Sequence, residues 1–194
     1  MYEFKKSFTG GGLALSILSL SGCVIVENLK LQLDGFDRYR SSASSLVYKM
    51  NNTPYYTSSA NYFVTVDRKG RYIRYLINMG GFFVGFPMIT SENYDETIQK
   101  LTMFEQWANE PYEQRIKTLD QVQKSLSDNG CDTSEGNTDF YLFMSPDVND
   151  NTAYLAYDRA VGYTTKAKFL ISKDDIIVII NELKVWRNNS VNRK

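Results

Sequence analysis

Histidine is absent from the 194 residues, which removes the commonest general base and the commonest metal ligand. Chemistry would have to rest on carboxylates, two cysteines or aromatic faces. Cys23 follows two small residues, Ser21 and Gly22, at the end of an apolar run. Cys131 lies in the turn-like stretch Asn129-Gly130-Cys131-Asp132. A reactive thiolate needs positive charge beside it, and only acidic neighbours flank Cys131, so we read it as a passive loop thiol, with a reactive or intermolecular role as the alternative. Asp147, Asn149 and Asn151 alternate, and Asp158 falls where a calcium loop places its last carboxylate. That loop wants a glycine after its third ligand, a closing glutamate and helical flanks. This chain has Thr152 and strand-like flanks, which favours a polar hairpin; no metal is expected. Asp174 and Asp175 directly precede an apolar helical pattern, where a helix start itself favours acids, so they read as first-turn residues rather than a catalytic pair. There is no Gly-x-Ser-x-Gly, and no local pattern marks the two carboxylates of a glycosidase. Tyr55-Tyr56 and Phe82-Phe83 suit stacking on a sugar or peptide and suit a core equally. No catalytic residue, no cofactor and no enzymatic activity are expected, which leaves Cys23 as the single site residue.

The elements around Cys23 give it a role. Lys5 and Lys6 make a cationic start, softened by Glu3. Residues 13–20 form a short apolar run, and Ser21 and Gly22 suit a cleavage site. The run is far shorter than the roughly 18 apolar residues of a membrane span. Leu20-Ser21-Gly22-Cys23 resembles the lipobox of bacterial lipoproteins. The resemblance covers about 23 residues and says nothing of the remainder. It implies that residues 1–22 are a cleaved signal peptide, that Cys23 carries a diacylglycerol and often an amide-linked acyl chain, and that residues 23–28 are attachment and short tether. Burying acyl chain contributes about 0.8 kcal/mol per CH₂, and two or more chains give lasting attachment. The implied partners are a lipid bilayer, through acylated Cys23, and an unidentified envelope protein. Val24, where an Asp would imply inner-membrane retention, favours the outer membrane, with the domain facing the periplasm or the cell surface.

Basic and acidic residues balance at 22 each, so the sum gives no bias toward nucleic acid, which is not expected as a partner. Tyr (14) and Phe (11) are abundant, as strands prefer. With Cys23 acylated, Cys131 has no intramolecular partner, so no disulfide is expected.

After the cysteine, Leu29, Leu31 and Leu33 alternate with polar residues as a half-buried strand does, and Asp34-Gly35 reads as a turn. Arg38-Tyr39-Arg40 and the serine-rich 41–45 look like a connection; a basic-aromatic contact with lipid headgroups is the alternative, but two arginines make a weak patch, which favours a solvated loop. Strands are expected at 46–48 and 62–66, with Asp67 to Gly70 as a hairpin connection. Ile73, Tyr75, Ile77 and Met79 line one face of the clearest strand; Gly80-Gly81 ends it and 82–86 follows as another. The period then becomes helical. Asn93 with Glu96 is a capping-box-like start; Tyr94, Ile98, Leu101, Phe104 and Trp107 form one stripe, and after Pro111, Ile116, Leu119, Val122 and Leu126 form a second, ending at Asn129-Gly130. Strands are expected at 139–145, 153–157 and within 161–171. Ser172 caps a last helix with Ile176, Ile179, Ile180 and Leu183 as its buried stripe and Trp186 near its end. The expected class is α+β: antiparallel sheet strands, a helical pair in the middle of the chain and a C-terminal helix, in one domain over 29–194. The expected function is a membrane-anchored, non-catalytic envelope lipoprotein that binds a protein or serves as an accessory module. Alternatives are an immunity or phage-exclusion lipoprotein and a carboxylate-based envelope hydrolase.

Overall fold

A computed structural model describes residues 35–49, 57–79, 82–127, 140–145, 151–161 and 165–191. The chain runs β1 (Phe36–Lys49), β2 (Thr57–Asp67), β3 (Tyr72–Met79), β4 (Phe82–Gly85) and β5 (Ile89–Thr90). Next come α1 (Tyr94–Asn109) and α2 (Tyr112–Ser127), then β6 (Tyr141–Met144), β7 (Ala153–Val161), β8 (Thr165–Ser172) and α3 (Lys173–Val191). All strand pairs are antiparallel, in one sheet of order β4-β3-β2-β1-β8-β7-β6, with β5 added on β3. The expected α+β class, with a central helical pair and a closing helix, is the observed one.

Alternation sorts each strand into an inner and an outer face. Val47, Tyr62, Val64, Ile73, Tyr75, Ile77, Phe169 and Ile171 are buried on the inner face. Leu101, Phe104 and Trp107 of α1 and Ile176, Ile179, Ile180 and Leu183 of α3 join them in one core. The sheet curls: Phe86, just past β4, packs 5.2 Å from Phe140 and 5.7 Å from Tyr157 between ring centroids, and the Arg159 guanidinium donates to the Gly85 carbonyl at 3.2 Å. The concave side therefore holds an aromatic column, and Tyr157 stacks on Phe169 at 4.9 Å within it. Among the described residues, no helix is long and apolar enough to cross a membrane.

Three local expectations change. Residues 38–45 are strand, not connection, because Ser41, Ala43 and Ser45 point inward and are almost fully buried. Their small size lets α3 press against β1, and a bulge between Arg40 and Ser44 absorbs the misfit. Asn93 stands at the N-cap of α1 but makes no side-chain cap hydrogen bond; its Oδ1 accepts from the Thr90 N–H at 2.7 Å and its Nδ2 donates to the Met88 carbonyl at 3.0 Å. The side chain fastens the turn before the helix instead. On α2, Ile116 is 47% exposed and Arg115 6% exposed. Arg115 donates to the Asn151 carbonyl at 2.7 Å, its own carbonyl accepts from Trp107 Nε1 at 3.2 Å, and its guanidinium lies over the Trp107 ring. A cation thus takes the place expected of an aliphatic residue, since it can stack and bridge at once. Residues 29–33, the Gly-Gly pair at 80–81 and Asn129-Gly130 lie outside the described residues, although Met79 and Phe82, on either side of the glycines, are paired.

Candidate functional site

The site grows out of the way α3 meets β1. β1 pairs with β2 along most of its length, but β8 pairs with it only from Leu46 to Lys49. Along 36–44 the second edge of β1 meets no described strand. α3 runs past this edge. Asp175, in its first turn, accepts from the Ser44 N–H at 2.7 Å and the Ser44 hydroxyl at 3.2 Å. Ser172 supplies the N-cap by accepting from the Asp175 N–H at 3.2 Å. Two turns on, the Ser41 hydroxyl donates to Glu182 Oε1 at 2.9 Å. At the far end Gly70 abuts Ser190: a Cβ at Gly70, whose φ is +72°, would come within 2.8 Å of the Ser190 hydroxyl oxygen. Only glycine satisfies both the turn and that approach.

Beyond these fastenings the helix and sheet diverge around a groove of about 470 Å³. Tyr39 and Val66 line it from the sheet, and Val185 and Trp186 from the helix, with Asp37 and Glu182 among its polar residues. Tyr39 is 42% and Val185 60% exposed, so apolar surface is left open to solvent. Glu182 is half-buried. Burial pushes its carboxyl above the usual glutamate value, and the Ser41 and Tyr75 hydroxyls pull it part of the way back. Burial likewise raises Tyr39, with the Glu182 charge adding to it. Glu182 Oε2, Tyr75 Oη and Trp186 Nε1 are buried without a hydrogen bond of full geometry, and the Tyr75 hydroxyl and the Glu182 carboxyl act on each other.

No family model matches the chain, and no curated protein is similar to it. Among solved structures it is similar to SsgB, studied in longitudinal cell division during sporulation of Streptomyces coelicolor, at 6% identity and a TM-score of 0.40 over 81% of this chain and 97% of that one.

The residues singled out in the sequence fall elsewhere. Cys23, Cys131, Asp147, Asn149 and the Tyr55-Tyr56 pair lie outside the described residues. Asn151 gives its carbonyl to Arg115. Asp158 sits on β7, where it accepts from the Tyr141 hydroxyl at 2.6 Å and faces Lys168 Nζ at 3.6 Å. Among the described residues no three metal-ligating side chains converge. Phe83 is 61% exposed on an outer strand. Asp174 and Asp175, adjacent in sequence, separate: Asp174 is exposed and Asp175 is tied to β1. Tyr39, Glu182 and Val185 were not singled out as a site. Their one signal in the sequence was Val185, an apolar residue beside the α3 stripe rather than on it.

Proposed function

We propose that this protein is a membrane-anchored, non-catalytic lipoprotein of the bacterial envelope that holds a segment of a partner protein. The observation that carries the binding role is the open apolar groove beside a strand edge that pairs with no strand among the described residues. An extended segment laid along 36–42 would add a strand to β1, drawing affinity from main-chain hydrogen bonds and specificity from apolar side chains placed in the groove. Asp37 is already held by Arg68 Nε at 3.1 Å, so the carboxylate that would favour a basic residue in the segment is Glu182. The anchoring role rests on Leu20-Ser21-Gly22-Cys23 and the segment before it. A photo-crosslinking residue at Val185 in intact cells is expected to trap one discrete protein, and Tyr39→Asp is expected to abolish the adduct without loss of fold. Intact-mass analysis of the native product is expected to find a chain beginning at a diacylated Cys23. A chain still beginning at Met1 with a free thiol refutes the anchor, and an adduct indifferent to Tyr39 refutes the groove.

A further inference from the structure

The 22 basic and 22 acidic residues are not evenly spread. Register places Arg38, Arg40, Arg74, Lys166 and Lys168 on the outer face of the sheet, the side away from all three helices. Arg38 lies opposite Thr65, and Thr65 opposite Arg74; the next row along runs Arg40, Phe63 and Leu76. Among the described residues, the outer-face acids are already engaged. Asp67 is fully buried and held by Arg71 at 2.8 Å, and Asp158 is taken by Tyr141 and Lys168. Aromatic rings alternate with the cations. Arg38 lies over Phe36 at 4.2 Å and Arg40 over Phe63 at 5.1 Å, while Lys168 lies over Tyr141 and Phe143. Stacking fixes the Arg38 and Arg40 guanidinium groups on the sheet while leaving their N–H edges open to donate outward. Phe63 is 37% exposed, and Arg38 and Arg40 beside it are exposed, whereas Leu170, Ala156 and Tyr72 on the same face are buried, so the open part of the face is its Arg38, Arg40 and Phe63 end.

We infer that the Arg38, Arg40 and Phe63 end of the outer face of the sheet is a docking surface for the anionic headgroups of a phospholipid bilayer. The commitment to lipid comes from charge and reach together. A convex basic patch with interleaved rings matches an interface where phosphates meet the upper acyl region, and the stretch from Cys23 to Phe36 spans at most about 45 Å when fully extended. A lipidated Cys23 would therefore hold this face within reach of a membrane, where fixed orientation would turn the α3 groove toward solvent. The surface rests on the anchor reading only for bringing the bilayer close, and the two fail separately.

The test uses a chain beginning at Val24, which keeps every described element and the whole core but has no lipid. It is co-sedimented with vesicles of phosphatidylcholine alone and of phosphatidylcholine with phosphatidylglycerol. Binding is expected only with phosphatidylglycerol and is expected to be released by molar salt. R38S/R40S is expected to weaken it about 25-fold, roughly fivefold per charge, while K117S/K124S on exposed α2 is expected to leave it unchanged. Equal binding to uncharged vesicles, no effect of R38S/R40S, or preference for a single-stranded oligonucleotide over the anionic vesicles overturns the inference. Loss of vesicle binding with a lipidated native chain refutes this surface alone, and vesicle binding with an unlipidated native chain refutes the anchor alone.

Discussion

Asp175→Ala tests how α3 is fastened. Replacing the carboxylate removes acceptors for the Ser44 N–H at 2.7 Å, the Ser44 hydroxyl at 3.2 Å and the Ser172 hydroxyl. The two hydroxyls can turn to other partners, but the half-buried Ser44 N–H, on a strand edge beside the helix, loses its acceptor. Leaving such a donor unsatisfied costs about 1–3 kcal/mol. Loss of negative charge from the first turn adds about 0.3–1 kcal/mol. Asp174→Ala, one residue earlier and exposed, loses the second contribution alone. Asp175→Ala is therefore expected to cost about 3 kcal/mol, lowering Tm by about 6–12 °C for a domain of this size, against under about 1 kcal/mol for Asp174→Ala. Asp175→Asn retains an acceptor for Ser44 and is expected to recover about half the loss. Urea unfolding is the assay, read as a shift in midpoint at constant slope. If Asp175→Ala and Asp174→Ala agree to within about 0.5 kcal/mol, the carboxylate is a helix-start charge and nothing more, and the account of the α3–β1 junction is wrong.

Two further outcomes follow from buried polar groups. The Tyr62 and Tyr157 hydroxyls meet at 3.1 Å in the core, so Tyr62→Phe is expected to cost about 1–3 kcal/mol by orphaning its partner. Adding Tyr157→Phe is expected to cost little more, and strictly additive losses in a double-mutant cycle would count against the pairing. Burial raises the Glu182 carboxyl above its ordinary value, so the folded chain binds that proton more tightly than the unfolded chain. The folded state consequently loses stability as pH rises through the window from the ordinary glutamate value to the raised one. Glu182→Gln is expected to melt higher than the native chain near neutral pH and level with it below that window; a gap that widens on acidification contradicts the burial argument.

Legibility tracked how far each decision was made by near neighbours in the chain. The stripe Leu101, Phe104, Trp107 and the stripe Ile176, Ile179, Ile180, Leu183 are periodic and strong, and both are core. The hairpin at Gly70 was equally plain, since a turn of that kind favours a glycine of positive φ. Strand 38–45 was hidden because its inward residues are serine and alanine, chosen for the closeness of a helix more than 130 residues away in the chain. Arg115 was hidden for a related reason. Its burial depends on Trp107 across the helix pair and on Asn151 beyond β6, and neither is visible in the spacing of α2. The groove was illegible altogether, because its walls, Tyr39 with Val66 and Val185 with Trp186, belong to two ends of the described chain and become a surface only when those ends meet.

The place of β1 in the sheet bears on mechanics. It is the first described strand and also the middle one, with three strands on either side in the order β4-β3-β2-β1-β8-β7-β6. A pull applied upstream of Phe36 therefore loads first the antiparallel β1–β2 seam over 36–44, where β1 has no second described strand, and reaches the doubly paired stretch only at Leu46 to Lys49. Force would have to open the first half of the strand before it bore on the centre of the sheet.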